Sequence, residues 1–243
     1  MSFFSRITAK KSASVPFCTA IVPAAGSSTR MEGQDKMFAL LAGEPVIVHT
    51  LRALQNSEFI QEIIVVTRED LILPISDICK VYTLDKVTKV IRGGATRTES
   101  VRLGTLEASN QAELLAIHDG ARPLVTEGLI REVILRAADC HAAAPAVPVK
   151  DTVKRCEGGF VKETLPRKTL YAIQTPQVFQ ASLIKAALEK ALTDGASLTD
   201  DCSAVERLGM SVALTAGEDT NLKITTPADL AVAEGILEWR RTL

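Results

Sequence analysis

A loop near the start of the chain combines small residues with two cations. The sequence Pro23-Ala-Ala-Gly-Ser-Ser-Thr-Arg30 follows the apolar run 19–22, which predicts a buried strand, and Lys36 comes shortly after it. Small side chains let backbone N–H groups approach a ligand closely, and loops of this kind bind phosphates. Arg30 and Lys36 would add positive charge beside that backbone. We predict a phosphate-binding loop; an ordinary strand-to-helix turn with solvated cations is the alternative.

Two better-known phosphate-binding loops are absent from the sequence. The chain has neither G-x-x-x-x-G-K-[ST], the signature of a P-loop, nor G-x-G-x-x-G, which opens a dinucleotide-binding fold. Gly26 is the only glycine between Pro23 and Glu32, so alanine and serine must form much of the loop. A nicotinamide-dependent oxidoreductase is therefore disfavoured.

Acidic and cationic side chains also follow or interrupt two further apolar runs. His118-Asp119-Gly-Ala-Arg122 ends the run 114–118, and an aspartate at a strand end suits Mg²⁺, which binds one or two carboxylates together with phosphate oxygens. Capping of the next turn is the alternative role for Asp119. We interpret His118 as a structural imidazole and Arg122 as a partner for a carboxylate or a support for its loop. Lys223 interrupts an apolar segment that we interpret as a strand, where a lysine needs an anion or must reach solvent.

The order of elements predicts an α/β protein with three layers: a mostly parallel, Rossmann-related sheet with helices on both faces. Apolar runs alternate with helical patterns, as in βαβ units. Ligands in such sheets lie beyond the carboxyl ends of the strands, so the loops 23–36, 93–100 and 119–123 should meet at one crevice. Thr96 and Glu99 fit a capping box that starts the third helix. The predicted strands cover 19–22, 62–67, 89–92, 114–118, 143–149 and 211–216, and the predicted helices cover 45–56, 70–80, 97–108, 126–140, 181–193, 200–208 and a last one that starts at 226.

Residues 150–170 differ in pattern from the rest of the chain. They alternate loosely around Gly158-Gly159, a hairpin-turn signal, and they are too polar for a core. An isolated two-stranded arm is only marginally stable, so we predict that it packs on a partner subunit; a flexible loop is the alternative. We divide the chain into an N-terminal extension, 1–16, and a single domain, 17–243. The extension lacks acids, as transit peptides do, but it has no clear apolar core, and we interpret it as a ragged terminus.

Composition excludes several classes of protein. A formal net charge of −1 and an aromatic content of 4% argue against a nucleic-acid-binding surface and favour a small-molecule protein. No apolar run approaches the roughly 20 residues that span a bilayer, so we expect no membrane segment. Five scattered cysteines without a C-x-x-C pair suit buried, reduced thiols in a cytoplasmic protein, and they offer no zinc site.

Seven motifs follow one another from about residue 19 to residue 236: PAAGSSTRM with a following DK, GGATRTESV, HDGARP, DTVK, QTPQVF, LTDD and NLKITTPADL. Together they resemble the 2-C-methyl-D-erythritol 4-phosphate cytidylyltransferase family. The resemblance implies a nucleotide-diphospho-sugar transferase-like fold, CTP and a polyol phosphate as substrates, Mg²⁺ or another divalent ion as cofactor, and pyrophosphate as a product. It also implies a homodimer joined through the 150–170 arm, and a place in the non-mevalonate route to isoprenoid precursors.

The resemblance assigns roles residue by residue. The cations that it places at the phosphates, as catalytic residues, are Arg30, Lys36 and Lys223. The nucleotide would be held by Ala24, Ala25, Gly26, Gly94, Ser100 and Asp119, with Asp119 also near the metal. The methylerythritol phosphate would be faced by Thr152, Arg167, Thr175 and Thr199. By local pattern the last three could equally be turn or cap residues, and Thr199 fits the N-cap of the helix 200–208.

Three positions depart from the family pattern: Ser28 stands in place of glycine, Asp35 in place of proline, and Ala95 where an acid is frequent. Ser28 would limit the approach of the backbone to a triphosphate, and Asp35 could hold Lys36 back from it. Two other functions stay open. One is a ribitol 5-phosphate cytidylyltransferase, whose motifs are very similar, although HDGARP favours the methylerythritol type. The other is a nucleotide-binding module without catalysis.

Overall fold

The computed structural model describes residues 15–26 and 35–242. The predictions for Arg30, for Ser28 and for nearly all of the extension 1–16 therefore lie outside the described residues. The strands within these ranges are β1 (Cys18–Pro23), β2 (Leu40–Leu41), β3 (Glu44–Pro45), β4 (Glu62–Thr67), β5 (Val87–Arg92), β6 (Leu114–Ile117), β7 (Ala142–Pro148), β8 (Lys154–Glu157), β9 (Phe160–Thr164), β10 (Tyr171–Ile173), β11 (Gln177–Gln180) and β12 (Ala213–Ala216). The helices are α1 (Val46–Asn56), α2 (Ile72–Val81), α3 (Arg97–Glu107), α4 (Glu127–Cys140), α5 (Ala181–Thr193), α6 (Asp201–Arg207) and α7 (Pro227–Arg241).

Eight of the described strands form one mixed sheet in the order β10-β7-β11-β6-β1-β4-β5, with β12 paired to β7. Strand β1 runs parallel to β4 and β6, and the pairs β4–β5 and β7–β12 are also parallel. Strands β10 and β11 are antiparallel to their neighbours, and β11 lies between β6 and β7. The predicted α/β fold with a mostly parallel sheet is confirmed, with two antiparallel strands that the sequence pattern did not reveal.

Helices cover both faces of this sheet. Side chains alternate along β1, so that Ala20 and Val22 belong to one buried cluster and Ile21 to the other. The first cluster includes residues of α1, α2, α4 and α7, and the second includes residues of α3, α5 and α6. A strand buried on both faces must be apolar throughout, which explains why β1 appears in the sequence as a continuous apolar run.

Capping fixes two helix starts beside the strand ends. At α3 the Thr96 hydroxyl accepts a hydrogen bond from the N–H of Glu99 at 3.1 Å, as predicted. The Glu99 carboxylate accepts from the N–H of Ala95, at 2.7 Å, so the return bond of the capping box is shifted by one residue. At α7 the Asp229 carboxylate accepts from the N–H of Thr226 at 2.8 Å, which confirms the predicted start of that helix.

The predicted cap of α6 is wrong by one residue. The helix is capped by Asp200, whose carboxylate accepts from the N–H of Ser203 at 3.0 Å. The hydroxyl of Thr199 instead lies 3.2 Å from the hydroxyl of Ser203. Threonine and aspartate are both good N-caps, and Asp200 is the better one, so the neighbouring residue takes the position.

The segment around Lys223 is not a strand, contrary to the prediction. Residues 217–226 connect β12 to α7 without regular structure. The N–H of Ile224 donates to the carbonyl of Ala121, at 2.8 Å, and Asn221 and Ile224 are buried. A short apolar pattern does not distinguish a strand from an irregular segment that buries some of its side chains. The segment crosses the loop that follows β6, and this brings Lys223 to the ends of the central strands.

The solvent exposure of the cysteines tests the prediction that they are buried. Cys18, Cys79 and Cys202 are buried free thiols, as predicted, but Cys140 is half-buried and Cys156 is exposed on the surface of β8. Polar segments such as β8 bury few of their side chains, so a cysteine there is accessible to solvent.

None of the helices in the described part of the chain is both long enough and apolar enough to cross a membrane.

The polar segment 150–170 contains the predicted hairpin. Strands β8 and β9 pair antiparallel across Gly158 and Gly159, whose φ angles of 57° and 83° favour glycine. Every residue of both strands is exposed, and the Phe160 side chain is among the most exposed apolar groups, at 77%. The hairpin is an arm whose two faces have no cover from the described part of its own chain.

Candidate active site

A cavity of about 370 Å³ lies at the carboxyl ends of β1, β5 and β6. The predicted convergence of three loops is confirmed for the described residues, and the irregular segment before α7 adds a fourth wall. The residues that line the cavity are Pro23, Ala24, Ala25, Gly26, Lys36, Met37, Gly94, Ala95, Thr96, Arg97, Ser100, Asp119, Gly120, Ala121 and Lys223.

Most of the residues predicted for the nucleotide and the catalytic step meet in this cavity. They are Ala24, Ala25, Gly26, Lys36, Gly94, Ser100, Asp119 and Lys223. Arg30 lies outside the described residues. The four residues predicted for the polyol phosphate do not line the cavity: Thr152, Arg167, Thr175 and Thr199. Which ligands these residues bind stays a prediction.

In the first of these loops, which follows β1, the ammonium group of Lys36 lies close to the loop backbone at Gly26. The N–H of Ala24 donates to the carbonyl of Val66 at 2.8 Å, which anchors the loop to β4 and leaves that N–H unavailable to a ligand. A Cβ added to Gly26 would lie 3.5 Å from the Nζ of Lys36, so the ammonium group stands directly above the glycine. Positive charge and closely approachable backbone therefore share one wall of the cavity.

The second loop is held by bonds within itself. The N–H of Gly94 donates to the hydroxyl of Ser100 at 3.1 Å, and that hydroxyl donates to the carbonyl of Thr96 at 2.9 Å. A Cβ on Gly94 would lie 2.4 Å from the Cβ of Glu99, so glycine is required there. The N–H groups of Gly94 and Ala95 both donate to side chains of the same loop, so they shape the wall of the cavity and are not available to a ligand. The side-chain cations are therefore the main groups that attract an anion to this cavity.

The Asp119 carboxylate is the negative centre of the cavity. The Nζ of Lys223 lies 2.9 Å from its Oδ2, the Nε of Arg122 lies 3.5 Å from the same oxygen, and an Nη of Arg97 lies 3.7 Å from Oδ1. Burial raises the pKa of this carboxyl, but the charges of Lys223, Arg97 and Arg122 outweigh burial and hold the pKa well below its usual range. Asp119 is therefore ionised at neutral pH and organises three cations.

A hydrogen-bonded pair, His118 and Thr175, holds the backbone of Asp119 in place. The Thr175 hydroxyl accepts from the N–H of Asp119 at 3.1 Å and lies 3.0 Å from Nδ1 of His118. The carbonyl of Arg122, 3.2 Å from Nε2, can only accept, so the neutral imidazole carries its proton on Nε2, and Nδ1 accepts from the Thr175 hydroxyl. His118 is fully buried, which confirms the interpretation of a structural imidazole. Thr175 is 4% exposed, and its hydroxyl bonds both Asp119 and His118.

Stability should fall on mild acidification because of His118. Burial lowers the pKa of this imidazole from 6.5 to about 4, so below pH 6.5 the unfolded chain binds a proton that the folded chain refuses. The free energy of unfolding should decrease by about 2 kcal/mol between pH 7 and pH 5. Urea unfolding of the protein and of His118→Gln at pH 7, 6 and 5 measures this, and stays above the range in which Asp119 protonates. Parallel pH dependences in the two proteins would contradict it.

Polar bonds to Asn221 hold the chain just before Lys223. The Arg122 guanidinium donates to the carbonyl of Asn221 at 2.7 Å, and the side-chain amide of Asn221 donates to the carbonyl of Thr175 at 2.9 Å. Arg122 thus pairs with a carboxylate and supports its loop, as both interpretations of the sequence suggested. These bonds hold the irregular segment against the residues that follow β6 and precede β11, and Lys223 lines the cavity.

Arg97 is a cavity residue that the sequence reasoning missed. It makes a two-fold ion pair with the buried Asp201 of α6, at 3.0 and 2.7 Å, while it approaches Asp119. A sequence signal did exist: Arg97 is the first residue of α3, where the helix dipole disfavours a cation unless an acid or anion faces it. The three-way arrangement joins the start of α3, the start of α6 and the end of β6.

Three of the residues predicted for the polyol phosphate lie on or near the arm and α6. Arg167 is exposed and donates to the carbonyl of Lys150 at 2.5 Å. Thr152 is exposed at the base of the arm, and Thr199 is exposed one residue before the cap of α6. In the described part of a single chain, these three hydroxyl and guanidinium groups are not gathered into the cavity.

The carboxylate of the cavity suits a metal ion that binds together with the phosphate groups of a substrate. Among the described residues that line the cavity, Asp119 is the single carboxylate. No group of three or more metal-binding side chains occurs within residues 15–26 and 35–242. Mg²⁺ commonly binds to one or two carboxylates together with the phosphate oxygens of a substrate. Asp119 fits that mode, because it is ionised and lines the cavity.

Comparison with known proteins gives a consistent assignment. The family model for IspD, 2-C-methyl-D-erythritol 4-phosphate cytidylyltransferase, matches residues 18–239. Proteins of that name from Halalkalibacterium halodurans and Dehalococcoides mccartyi are 45% and 44% identical to this chain; the alignments cover 89% and 91% of it and 95% and 96% of those proteins.

Solved structures agree with this assignment. The crystal structure of 4-diphosphocytidyl-2C-methyl-D-erythritol synthase from Anaerococcus prevotii superposes with a TM-score of 0.81 at 34% identity, covering 92% of this chain and 96% of that one. The 2-C-methyl-D-erythritol 4-phosphate cytidylyltransferase of Thermus thermophilus gives 0.75 at 33% identity, with 90% and 97% covered. The chain belongs to the 2-C-methyl-D-erythritol 4-phosphate cytidylyltransferase family.

Proposed function

We propose that the protein transfers the cytidylyl group of CTP to 2-C-methyl-D-erythritol 4-phosphate, giving 4-diphosphocytidyl-2-C-methyl-D-erythritol and pyrophosphate. The observation that carries the proposal is the clustering of Lys36, Lys223 and Arg97 around one cavity that contains the ionised Asp119. Family membership supplies the identity of the substrates. The reaction belongs to the non-mevalonate synthesis of isoprenoid precursors.

The reaction that we propose is an in-line displacement between two anions. A phosphate oxygen of the polyol phosphate attacks the α-phosphorus of CTP, the new P–O bond forms, and pyrophosphate leaves. Repulsion between the reactants and charge on the non-bridging oxygens dominate the barrier, so the protein needs positioned cations and no nucleophile of its own. Lys36 and Lys223 would neutralise that charge, and Asp119 keeps Lys223 oriented before the nucleotide binds.

Mg²⁺ or another divalent ion is the cofactor that we propose, held by Asp119 together with nucleotide phosphates. It would supply further neutralisation of the phosphate charge. Arg30 is proposed as a third phosphate-binding cation on the basis of its motif alone. The loop of Ala24, Ala25 and Gly26 and the loop of Gly94 and Ser100 would enclose the nucleotide, since both line the same cavity.

We further propose a homodimer in which the β8–β9 arm reaches a second copy of the chain. The arm is exposed on every residue and presents Phe160 and Val161, 77% and 59% exposed, to its surroundings. Thr152, Arg167 and Thr199 would then face the polyol phosphate across that interface, which would explain why they lie outside the cavity of one chain. A cytoplasmic location, also proposed, agrees with five cysteines that are all free.

Arg167→Ala should raise the KM for the polyol phosphate about tenfold while kcat changes little, because a cation that only binds the substrate phosphate contributes equally to the ground and transition states. Steady-state kinetics with saturating CTP measures both constants. The neighbouring Lys168→Ala is the matched control and should resemble the unmodified protein. An unchanged KM in Arg167→Ala would remove this residue from the polyol site.

Pyrophosphate release tests the proposed function directly. The protein is incubated with CTP, Mg²⁺ and either methylerythritol phosphate or ribitol 5-phosphate. We expect release that depends on the methylerythritol phosphate and is much slower with the ribitol compound. The opposite preference would establish the ribitol enzyme. Binding of CTP without release in the presence of either acceptor would establish a non-catalytic nucleotide-binding module.

A further inference from the structure

A buried carboxylate lies behind the wall of the cavity, at the start of α6. The side chain of Asp201 is 1% exposed, and its two oxygens accept hydrogen bonds from the two Nη atoms of Arg97, at 3.0 and 2.7 Å. Arg97 lines the cavity, whereas Asp201 does not. A two-fold bond between a guanidinium and a carboxylate is specific in geometry, so Asp201 fixes the plane in which Arg97 meets the cavity.

The position of Asp201 is in turn set by Gln177, the first residue of β11. The side-chain oxygen of Gln177 accepts from the N–H groups of Asp201 and Cys202, both at 3.0 Å, and its side-chain nitrogen donates to the Asp200 carboxylate at 3.1 Å. Gln177 is 2% exposed, and in the sheet it lies opposite Ile117, the last residue of β6. The start of α6 is therefore attached to the end of the strand that leads into the cavity.

Arg97 also approaches a second carboxylate, but it stops short of a hydrogen bond. One Nη lies 3.7 Å from Oδ1 of Asp119, beyond the usual range of an N–H···O bond. The same Nη lies 2.7 Å from Asp201, so the two carboxylates compete for one group. Lys223 and Arg122 approach the other oxygen of Asp119, Oδ2, at 2.9 and 3.5 Å.

We infer that Asp201 is a positioning residue, which binds Arg97 in the wall of the cavity and so keeps this guanidinium from bonding directly to Oδ1 of Asp119. The inference rests on the proposed function, in which Asp119 holds a divalent ion together with the nucleotide phosphates. A guanidinium bonded to Oδ1 would oppose metal binding there, because two cations repel each other and would need the same oxygen.

Loss of the Asp201 charge should move Arg97 onto Asp119. The guanidinium needs a shift of only about 1 Å to reach hydrogen-bond distance of Oδ1. One charge-assisted hydrogen bond is enough to change a competing binding equilibrium by roughly tenfold. The Arg97 side chain is 36% exposed, so its charge keeps access to water in such a variant, and folding should survive.

The coupling between Mg²⁺ and CTP tests the inference without turnover. Calorimetric titration with CTP, in Mg²⁺ and in EDTA, gives the factor by which Mg²⁺ strengthens nucleotide binding. A ratio of this kind cancels any change in CTP affinity that does not involve the metal. Asp201→Asn should reduce the factor about tenfold.

The double variant D201N/R97Q decides between positioning and simple support. It should restore the Mg²⁺ factor to within about threefold of the unmodified protein, because the competing guanidinium is gone, even though its thermal midpoint stays lowered. Glu44→Gln, which removes the charge from the two-fold pair with Arg52 outside the cavity, is the matched control and should leave the factor unchanged. An equal loss in the single and the double variant would make Asp201 a structural support and overturn the inference.

The proposed function and this inference fail separately. A protein that binds CTP with Mg²⁺ but releases no pyrophosphate overturns the proposed function only. A Mg²⁺ factor that is the same in Asp201→Asn and in the unmodified protein overturns the role of Asp201 only.

Discussion

Lys223→Ala is expected to lower kcat for pyrophosphate release by about 10³-fold, because phosphoryl-type transfer depends on each cation that meets the developing charge. In the structure this ammonium group lies 2.9 Å from Asp119 and faces the cavity from a segment that buried polar bonds fix. The loss should appear in kcat and in kcat/KM alike, since the interaction strengthens in the transition state.

Folding should survive the loss of Lys223. The Asp119 carboxylate keeps Arg97 and Arg122 as partners, and the lysine side chain is 40% exposed, so the thermal midpoint should change by only a few degrees. Lys80→Ala is the matched control: this lysine is 78% exposed and pairs with Asp77 on α2, remote from the cavity. Turnover of Lys223→Ala close to that of Lys80→Ala would remove Lys223 from the mechanism.

The central sheet could be predicted because its strands are buried on both faces. Strand β4 occupies the predicted residues 62–67, and helix α5 the predicted 181–193. Continuous apolar runs and a helical apolar stripe are local properties, and they require no knowledge of the partner element. The crevice followed from topology, since parallel strands present their carboxyl ends at one edge.

The antiparallel strands β10 and β11 could not be predicted in the same way. Strand β11 has four residues, and its place between β6 and β7 depends on pairing with segments more than 30 residues away. Its sequence begins and ends with a glutamine and follows Thr175-Pro176, so the local pattern indicates a turn. Strand identity here comes from tertiary contact, which overrides local pattern.

The side-chain pairings of the site were also beyond local reasoning. Arg97 and Asp201 pair across 104 residues, and Thr175 reaches Asp119 across 56. The sequence indicated that Asp119 ends a strand and that Lys223 needs an anion. It did not indicate that each is the partner of the other, because that pairing depends on the path of an irregular segment.

Asp119→Asn should lower kcat about 10²-fold or more and raise the Mg²⁺ concentration for half-maximal rate about tenfold, by two separable effects. First, Lys223, Arg97 and Arg122 lose the charge that brings them together. Second, the cavity loses the Asp119 carboxylate, the group proposed to hold the metal with the nucleotide. Titration of turnover with Mg²⁺ at saturating CTP measures both; Asp77→Asn, on the exposed face of α2, is the control.

The double variant D119N/K223A decides how these effects divide. If Asp119 acted only by orienting Lys223, the double variant would be no slower than Lys223→Ala, because the group to be oriented is already gone. We expect it to be slower and to keep the raised Mg²⁺ requirement, since the metal contact is independent of the lysine. An Mg²⁺ requirement equal to that of the unmodified protein in both aspartate variants would confine Asp119 to the orientation of cations and leave the metal to the substrate phosphates alone.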